Sequence, residues 1–412
     1  MSDRLKVAFI IHEFPVLSET FILNQIAGLI DRGCEVDIYA EVSGNIDKVH
    51  PIVEKYALLE QTYYLTKLPQ TLLERLIKGI ELIPNYLKNC PRQLWRSLIP
   101  FPLTDLTLSG WLLHTIIPNF DRDYDIIHCQ FGTASFRSLA FRQVNAPSAK
   151  LITTFRGYDI SSFVQHKGQN IYRQIFRHGD FFLTNCDFFC QRAISLGCPT
   201  DKIKVIRSGL DSDRFTYQPR TIPEDGRVQI ATTGRLTEKK GIEYVIRAIA
   251  KLILTYPHLQ YKIIGEGELR PHFTQLIEEL DLTKNIELLG WRTETEIVEI
   301  LNNTHIFVAP SVTARDGDRD APINVLKEAM AIGLPVVSTY HGGIPELVED
   351  GKSGFLVPER DAAAIAEKLA YLIKHPQIWS AMGKAGREFV LEHYNLKQLN
   401  DDLLDVYLGL LN

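Results

Sequence analysis

Two successive series of short apolar segments, each followed by a helical stretch, constrain the fold of this chain more than any other feature. LKVAFII, EVDIYAE, DIIHCQF, KLITTF and DFFLTN form the first series; VQIATTG, LQYKIIGEG, NIELLG, HIFVAP and LPVVST form the second. Apolar runs this short, bounded by turn residues, read as strands buried on both faces, and strands linked through helices run parallel. The expectation is an α/β protein with two parallel, doubly wound, Rossmann-like sheets. Between the series, VIRSGLDSDRFTYQPRTIPEDGR is rich in Pro, Asp and Arg and keeps no period, which places a linker at residues 216–226. A first domain then covers 1–215 and a second 227–395, and the amphipathic DLLDVYLGLL closes the chain within 396–412. From about 51 to 120 the alternation lapses into a helical, Pro-punctuated stretch, read as an insertion in the first domain. Open α/β sheets take ligands at the carboxyl ends of their strands, so the two domains are expected to face each other across a cleft.

Composition removes several classes of function. A net charge of −5 gives no global attraction to nucleic acid. The opening MSDRLKVAFIIHEF lacks the long apolar region of a signal peptide, and no run reaches the ~18 apolar residues of a spanning helix, so a cytoplasmic protein is expected. The six cysteines are scattered without CxxC pairs, which favours reduced thiols over zinc or disulfides, and no metal site is expected. Between Thr66 and Pro102, basic residues interleave with Leu, Ile and Trp95. That pattern suits either a helix lying on an anionic lipid surface or one packed on its own domain.

The chemistry concentrates in a few loops. In RDGDRDAPINVLKEAMAIGLPVVSTYHGGIPELV, Asp320 and Glu328 flank a helix start expected at Pro322. The free N–H groups of such a start form a cradle for an anion in the Ala321, Pro322 and Ile323 turn, where Pro322 itself has no N–H to leave unsatisfied, and Glu328 further along offers an acceptor to a ribose hydroxyl. ATTGRLTEKKG follows a strand with Gly234, then Arg235 and Lys240 five apart, a pair suited to a diphosphate. In HEFPVLSETF, Ser18 is the expected helix cap, and Ser18, Glu19 and Thr20 present side chains and N–H groups at a helix start. The first strand is not followed by GxGxxG, which argues against a dinucleotide-dependent oxidoreductase. His128, at the end of DIIHCQF, is read either as a cleft residue touching substrate or as a satisfied core histidine.

With these motifs the chain resembles the family 4 glycosyltransferases, retaining enzymes of GT-B fold, and within them the exopolysaccharide and colanic-acid-like members. The family signature is a Glu, seven residues and a second Glu. Here the second acid is Glu328, while Asp320 stands one methylene short at the first. The resemblance implies that Arg235 and Lys240 bind the donor diphosphate without a metal, Glu328 the ribose, and Asp320 the transferred sugar. It also sets Gly265 and Gly267 of IIGEGELR at the donor, and Gly290, Trp291 and Arg292 of LLGWR against the base, although for Trp291 taken alone core packing is the favoured reading. In TTFRGYDIS, Gly157 and Asp159 keep a cleft-lining motif in which Arg156 replaces the usual His. Arg cannot act as a base near neutral pH. Asp320, Arg156, Asp159, Arg235 and Lys240 are thus the expected catalytic set. The resemblance further implies that the terminal helix crosses back to the first domain. The function expected is transfer of a hexose from a UDP- or GDP-sugar, with no cofactor, to a glycan or lipid-linked oligosaccharide, at the cytoplasmic face of a bacterial inner membrane. A GT-B UDP-sugar epimerase and a non-catalytic sugar-nucleotide-binding protein are the alternatives.

Overall fold

The computed structural model describes residues 4–412 apart from 18, 48, 65–70, 90, 98–122, 224–225 and 322. Two sheets organise it. The first contains β1 (Lys6–Phe14), β2 (Glu35–Ser43), β3 (Thr62–Tyr64), β4 (Ile126–Gln130), β5 (Lys150–Phe155), β6 (Phe181–Thr184) and β7 (Ile203–Val205), in the order β3-β2-β1-β4-β5-β6-β7. The second contains β8 (Gln229–Thr233), β9 (Gln260–Ile264), β10 (Ile286–Gly290), β11 (Ile306–Ala309), β12 (Val336–Thr339) and β13 (Gly354–Val357), in the order β10-β9-β8-β11-β12-β13. Every pairing is parallel, with Val7 opposite both Val36 and Ile126 in the first sheet and Ile230 opposite both Tyr261 and Ile306 in the second. Val7 to Ile11 of β1 are all buried, as a central strand covered on both faces requires.

The alternation reads ten of these strands and misses β3, β7 and β13, each at the edge of a sheet. The stretch after residue 51 is therefore not wholly helical, because β3 adds three residues to β2. β3 and β7, at three residues each, are too short for a period to show. The 216–226 stretch is fastened to the second domain, where the Gln218 N–H donates to the Ile332 carbonyl and Arg220 to the carbonyls of Asn302 and Leu301.

The Leu396–Leu411 helix lies on the Thr20–Asp31 helix of the first domain. Leu403 and Tyr407 enter the core formed by Ile22, Ile26 and Leu29, and Arg32 bonds both Asp401 and the Lys397 carbonyl at 2.6 Å. Among the described residues no helix is long and apolar enough to cross a membrane. In the Leu72–Asn89 and Pro91–Ser97 helices, Leu73, Ile77, Ile80, Leu87 and Trp95 are exposed, so these side chains do not pack on the domain that carries them.

Candidate active site between the two domains

The loops at the carboxyl ends of the two sets of strands meet. Ser161 and Ser162, at the start of the Ser162–Lys167 helix, donate to Asp318 at 3.4 Å and Asp316 at 3.1 Å, and Gly157 leaves room for the Arg319 carbonyl, which a Cβ would approach to 3.3 Å. Glu346 of the second domain accepts the Asp187 and Phe188 N–H groups at 2.8 and 2.7 Å, at the start of the Asp187–Ser195 helix.

On the second domain the loop after β8 carries Arg235 and a single 3-10 turn, Glu238–Lys240, held down where the Val312 N–H donates to the Lys239 carbonyl at 2.8 Å. Arg235 is exposed, and among the described residues it makes no hydrogen bond or ion pair. Lys240 reaches Asp320 at 2.7 Å; Lys239 reaches Asp318 at 2.7 Å and Asp320 at 3.4 Å. Asp320 also accepts from the Ser311 hydroxyl at 2.8 Å. Burial alone would raise the Asp320 pKa, but Lys240 and then Lys239 hold it well below the usual carboxylate range. The acid expected to face the sugar is thus occupied by two lysines and a serine. The shorter Asp draws its carboxylate back into the loop rather than out into the cleft.

The Asp320 backbone is fixed separately. Its N–H donates to His341 Nε2 at 2.9 Å, which leaves the proton on Nδ1 to bond Glu359 at 2.6 Å, and Glu359 in turn accepts the Thr313 N–H. Gly342 has a positive φ and lies under the Asp320 carbonyl, 2.0 Å from where a Cβ would be.

The helix expected from Pro322 begins two residues later, at Asn324, with Ile323 extended as its cap, and Pro322 lies outside the described residues. Ile323 has no side-chain acceptor to offer, so no side-chain bond caps the helix. Glu328 falls in the second turn. It is half-buried, and among the described residues its carboxylate makes no hydrogen bond or ion pair. Burial, with Glu294 adding and Lys327 and Arg214 opposing, pushes its pKa up to about 7.

The expected glycines divide. Gly265, at φ +140, and Gly267 lie against backbone, where a Cβ would fall 2.0 Å from the Gly234 carbonyl and 2.6 Å from Leu236 N. Their smallness serves loop-to-loop packing. Gly234 itself is open, with only the Lys240 chain near. At Gly290 a Cβ would come within 2.8 Å of Glu266. Trp291 is 47% exposed rather than a core residue, and Arg292 bonds its carbonyl at 3.0 Å. Ala321 packs on the core of the first domain.

The first domain presents a different surface. Arg156 is buried, its guanidinium donating to Gln130 at 3.0 and 2.6 Å, to Gln25 at 2.9 Å and to Ser208 at 3.3 Å, and lying 4.4 Å over the Phe21 ring. Burial lowers its pKa to about 10, so it remains a cation at neutral pH. Two expectations are corrected here. Asp159 is fully buried and accepts the N–H groups of Gly132, Arg156 and Gly157 at 2.7, 3.1 and 2.9 Å, so it shapes the cleft loops from beneath instead of lining them. His128 is a core histidine, bonded to Tyr407 at 2.5 Å and Thr154 at 2.6 Å, with its pKa driven down to about 3 by burial. A fully buried ring with both nitrogens engaged does not reach a cleft ligand.

At the mouth of β1, Glu19 takes the N-cap position of the Thr20–Asp31 helix without a side-chain capping bond, and the expected cap Ser18 lies outside the described residues. Thr20 is the first helical residue. The Glu19 pKa rises to about 7 through burial, against the pull of Arg156 and, from the other domain, Arg235. Lys239, His341, Glu359, Gln25 and Gln130 were not singled out by sequence. Lys239 sits beside Lys240 and His341 opens HGG, so both carried a local signal; the glutamines carried none. Among the described residues there is no group of three or more His, Cys, Asp or Glu side chains that could hold a metal ion.

Known proteins align with this arrangement over nearly its whole length. Residues 18–214 match the sequence pattern described as Glycosyltransferase Family 4, and residues 213–389 that described as Glycosyl transferases group 1. A Salmonella typhimurium protein assigned as the colanic acid biosynthesis glycosyltransferase WcaL is 37% identical over 97% of this chain and 98% of its own. The amylovoran biosynthesis glycosyltransferase AmsK of Erwinia amylovora is 32% identical over 97% and 99%. Among solved structures, Anabaena HepE in complex with UDP and glucose has a TM-score of 0.72 over 98% of this chain and 100% of that one, at 18% identity. Sucrose-phosphate synthase from Thermosynechococcus elongatus has a TM-score of 0.68 over 99% of each, at 19% identity. At such identities the likeness is one of fold, two Rossmann-like domains in the GT-B arrangement.

Proposed function

This chain belongs to the family 4 glycosyltransferases, and on that premise we propose that it is a retaining hexosyltransferase of bacterial exopolysaccharide assembly, using a UDP- or GDP-sugar. The observation that carries the reading is a pair of charges on the second domain, exposed Arg235 and half-buried Glu328, that among the described residues make no hydrogen bond or ion pair, while Lys240 and Asp320 are paired with each other. A diphosphate needs cations as the sugar bond breaks, and a ribose needs an acceptor for its hydroxyls. In this reading Arg235 and Lys240 hold the diphosphate, Glu328 the ribose, and the loop from Asp320 to Ile323 the sugar. Asp320 also orients Lys240, since its carboxylate already engages that ammonium. Gly234, Gly265 and Gly267 shape the donor loop, and Gly290, Trp291 and Arg292 border the base.

Transfer proceeds on the front face of the sugar. The acceptor oxygen bonds to the anomeric carbon as the bond to the phosphate oxygen breaks, and the acceptor proton passes to the departing diphosphate. Arg156 and Glu19 face that step from the first domain. Arg156, a fixed cation in place of a titrating His, stabilises negative charge and takes no proton.

The colanic acid and amylovoran relatives support a glycan acceptor. We infer that it is lipid-linked and reached at the cytoplasmic face of the membrane. The exposed Leu73, Ile77, Ile80, Leu87 and Trp95, with Lys88 and Arg92 exposed beside them, support peripheral contact with an anionic bilayer. Incubation with UDP- and GDP-hexoses and a lipid-linked oligosaccharide, with the product linkage read by NMR, tests the whole reading. Transfer with the donor's anomeric configuration kept is expected. An inverted linkage overturns the retaining mechanism, and sugar epimerised without acceptor overturns the transferase.

A further inference from the structure

One buried cation has no part in that account. Lys327 stands one position before Glu328 and is fully buried. Its Nζ donates to the Ser208 backbone carbonyl at 2.6 Å and lies 5.0 Å from the Tyr394 ring centroid. Ser208 belongs to the segment leaving the first sheet, and its hydroxyl accepts from Arg156 at 3.3 Å. A single residue is thus held from both sides, by a buried cation of the first domain and a buried cation of the second.

The surroundings make this spot the mechanical junction of the molecule. The two chain crossings between the domains run side by side here: the Leu210 N–H donates to the Tyr394 carbonyl at 2.8 Å and the Leu396 N–H to the Leu210 carbonyl at 3.3 Å. They touch so closely that a Cβ on Gly209 would lie 2.7 Å from Leu396 Cα. Arg207, on the same segment, bonds Asp187 at 3.0 Å and approaches Glu346 to 3.8 Å. A lysine ammonium is costly to bury and is retained where it has partners. Burial draws the Lys327 pKa down to about 7; among the described residues its Nζ has the hinge carbonyl as its hydrogen-bond acceptor, a bond the amine donates in either protonation state, and an aromatic face lies beside it.

We propose that Lys327 is a positioning residue for the transfer reaction: it registers the Glu328 helix against the interdomain crossing, and through Ser208 against Arg156, so that the donor half and the acceptor half of the site meet in one geometry. The inference rests on the transferase reading. Its physical content is that helix and hinge move together while the ammonium bridges them. Without the bridge each half stays folded, but their relative placement loosens, and a misplacement near 1 Å at the reacting atoms costs on the order of a hundredfold in rate.

Lys327→Met tests it, because Met fills a similar volume without a charge to place. The variant is expected to keep the wild-type Tm or exceed it, to bind UDP or GDP, whichever the wild type binds, within about threefold, and to lose about tenfold or more in kcat. Hydrogen exchange at the Leu210 and Leu396 amides should accelerate while the sheet amides stay protected. Wild-type kcat, or unchanged exchange at those two amides, overturns the proposal and leaves Lys327 a filler of space. If the Met variant does not fold, Lys327→Arg decides. Arg keeps a donor for the Ser208 carbonyl, so wild-type exchange and kcat within a few fold are expected, and slow turnover with an intact hinge overturns the idea. Failure of the wild type to bind either nucleotide sinks the transferase reading instead, and the two failures are told apart by that control.

Discussion

The two walls of the cleft are built on opposite plans. On the first domain, three polar groups near the site are buried and satisfied: Asp159 holds three backbone N–H groups, His128 has both nitrogens engaged, and Arg156 is held by two glutamines, a serine and a ring. On the second domain the charges are either open, as in Arg235 and Glu328, or arranged as an exchangeable lysine and aspartate cluster. A satisfied network resists change when a ligand arrives, and open charges await one. On the function proposed above, the first wall is mainly a frame and the second the binding surface. Mutations should separate them, with rate and nucleotide affinity sensitive on one side and stability on the other.

The largest effect belongs to two cations, the open Arg235 and the ion-paired Lys240. Arg235→Ala and Lys240→Ala are each expected to lower kcat by roughly a hundredfold or more, the scale for removing one preorganised charge stabiliser. Arg235→Ala should melt close to the wild type, whereas Lys240→Ala, which takes a partner from the buried Asp320 carboxylate, should melt lower. EDTA should leave wild-type activity intact, since on the proposed function these two side chains meet the diphosphate charge; loss restored only by a divalent ion would reverse that assignment.

Asp320→Glu restores the usual family acid and should still cost activity. The native carboxylate already fits Lys240 at 2.7 Å and Ser311 at 2.8 Å, and one more methylene pushes it past both. A fall in kcat of about tenfold to a hundredfold is expected, with UDP or GDP affinity within a few fold. Equal or faster turnover would mean that Asp320 is only tolerated at this position.

The contrast between the walls also governs what could be read from sequence. Second-domain pairs are local: Arg235 and Lys240 share one loop, and Asp320 and Glu328 flank one helix start. The first-domain network is tertiary. Arg156 meets Gln25 across 131 residues, and Lys327 meets Ser208 across 119, so no spacing announces them. The same reasoning explains the strands. Central strands such as β1 and β8 show as apolar runs because both faces are covered, whereas β3, β7 and β13, short and at the edges, leave no such trace. His128 illustrates the limit of a strand-end signal. Its position fitted the cleft, and Thr154 of the neighbouring strand together with the Leu396–Leu411 helix, which brings Tyr407 over it, makes it core.

On the frame side, Asp159→Asn should act through stability. An amide oxygen accepts less strongly than a carboxylate, and the side chain's NH2 would face backbone donors, so a loss of about 1.5 to 3 kcal/mol is expected, the range for hydrogen bonds to a charged group. Denaturant unfolding reads this. Nucleotide affinity of the folded fraction should be unchanged. A normal melting curve with lost binding would place Asp159 on the binding wall after all.

Glu328→Gln carries the smallest effect and draws the sharpest line, because it should improve the fold while harming the site. UDP or GDP affinity is expected to fall by about 1 to 3 kcal/mol, the cost of losing a charged acceptor for the ribose. The stability change has the opposite sign. The folded Glu328 holds its proton up to about 7, above its ordinary 4.5, so between those values the unfolded chain releases a proton that the folded chain keeps, and stability declines as pH rises. Above pH 7 the folded state carries a half-buried, unpaired charge; below 4.5 both states are neutral and that cost vanishes. Gln removes the charge at every pH. The variant should therefore be more stable than the wild type at pH 8, by on the order of 1 kcal/mol after screening by solvent, and no more stable at pH 4. Melting curves at the two pH values, run without nucleotide, give the difference directly. A Gln variant that is less stable at pH 8 would mean that the carboxylate is paired in the free protein, and Glu328 would then belong with the frame.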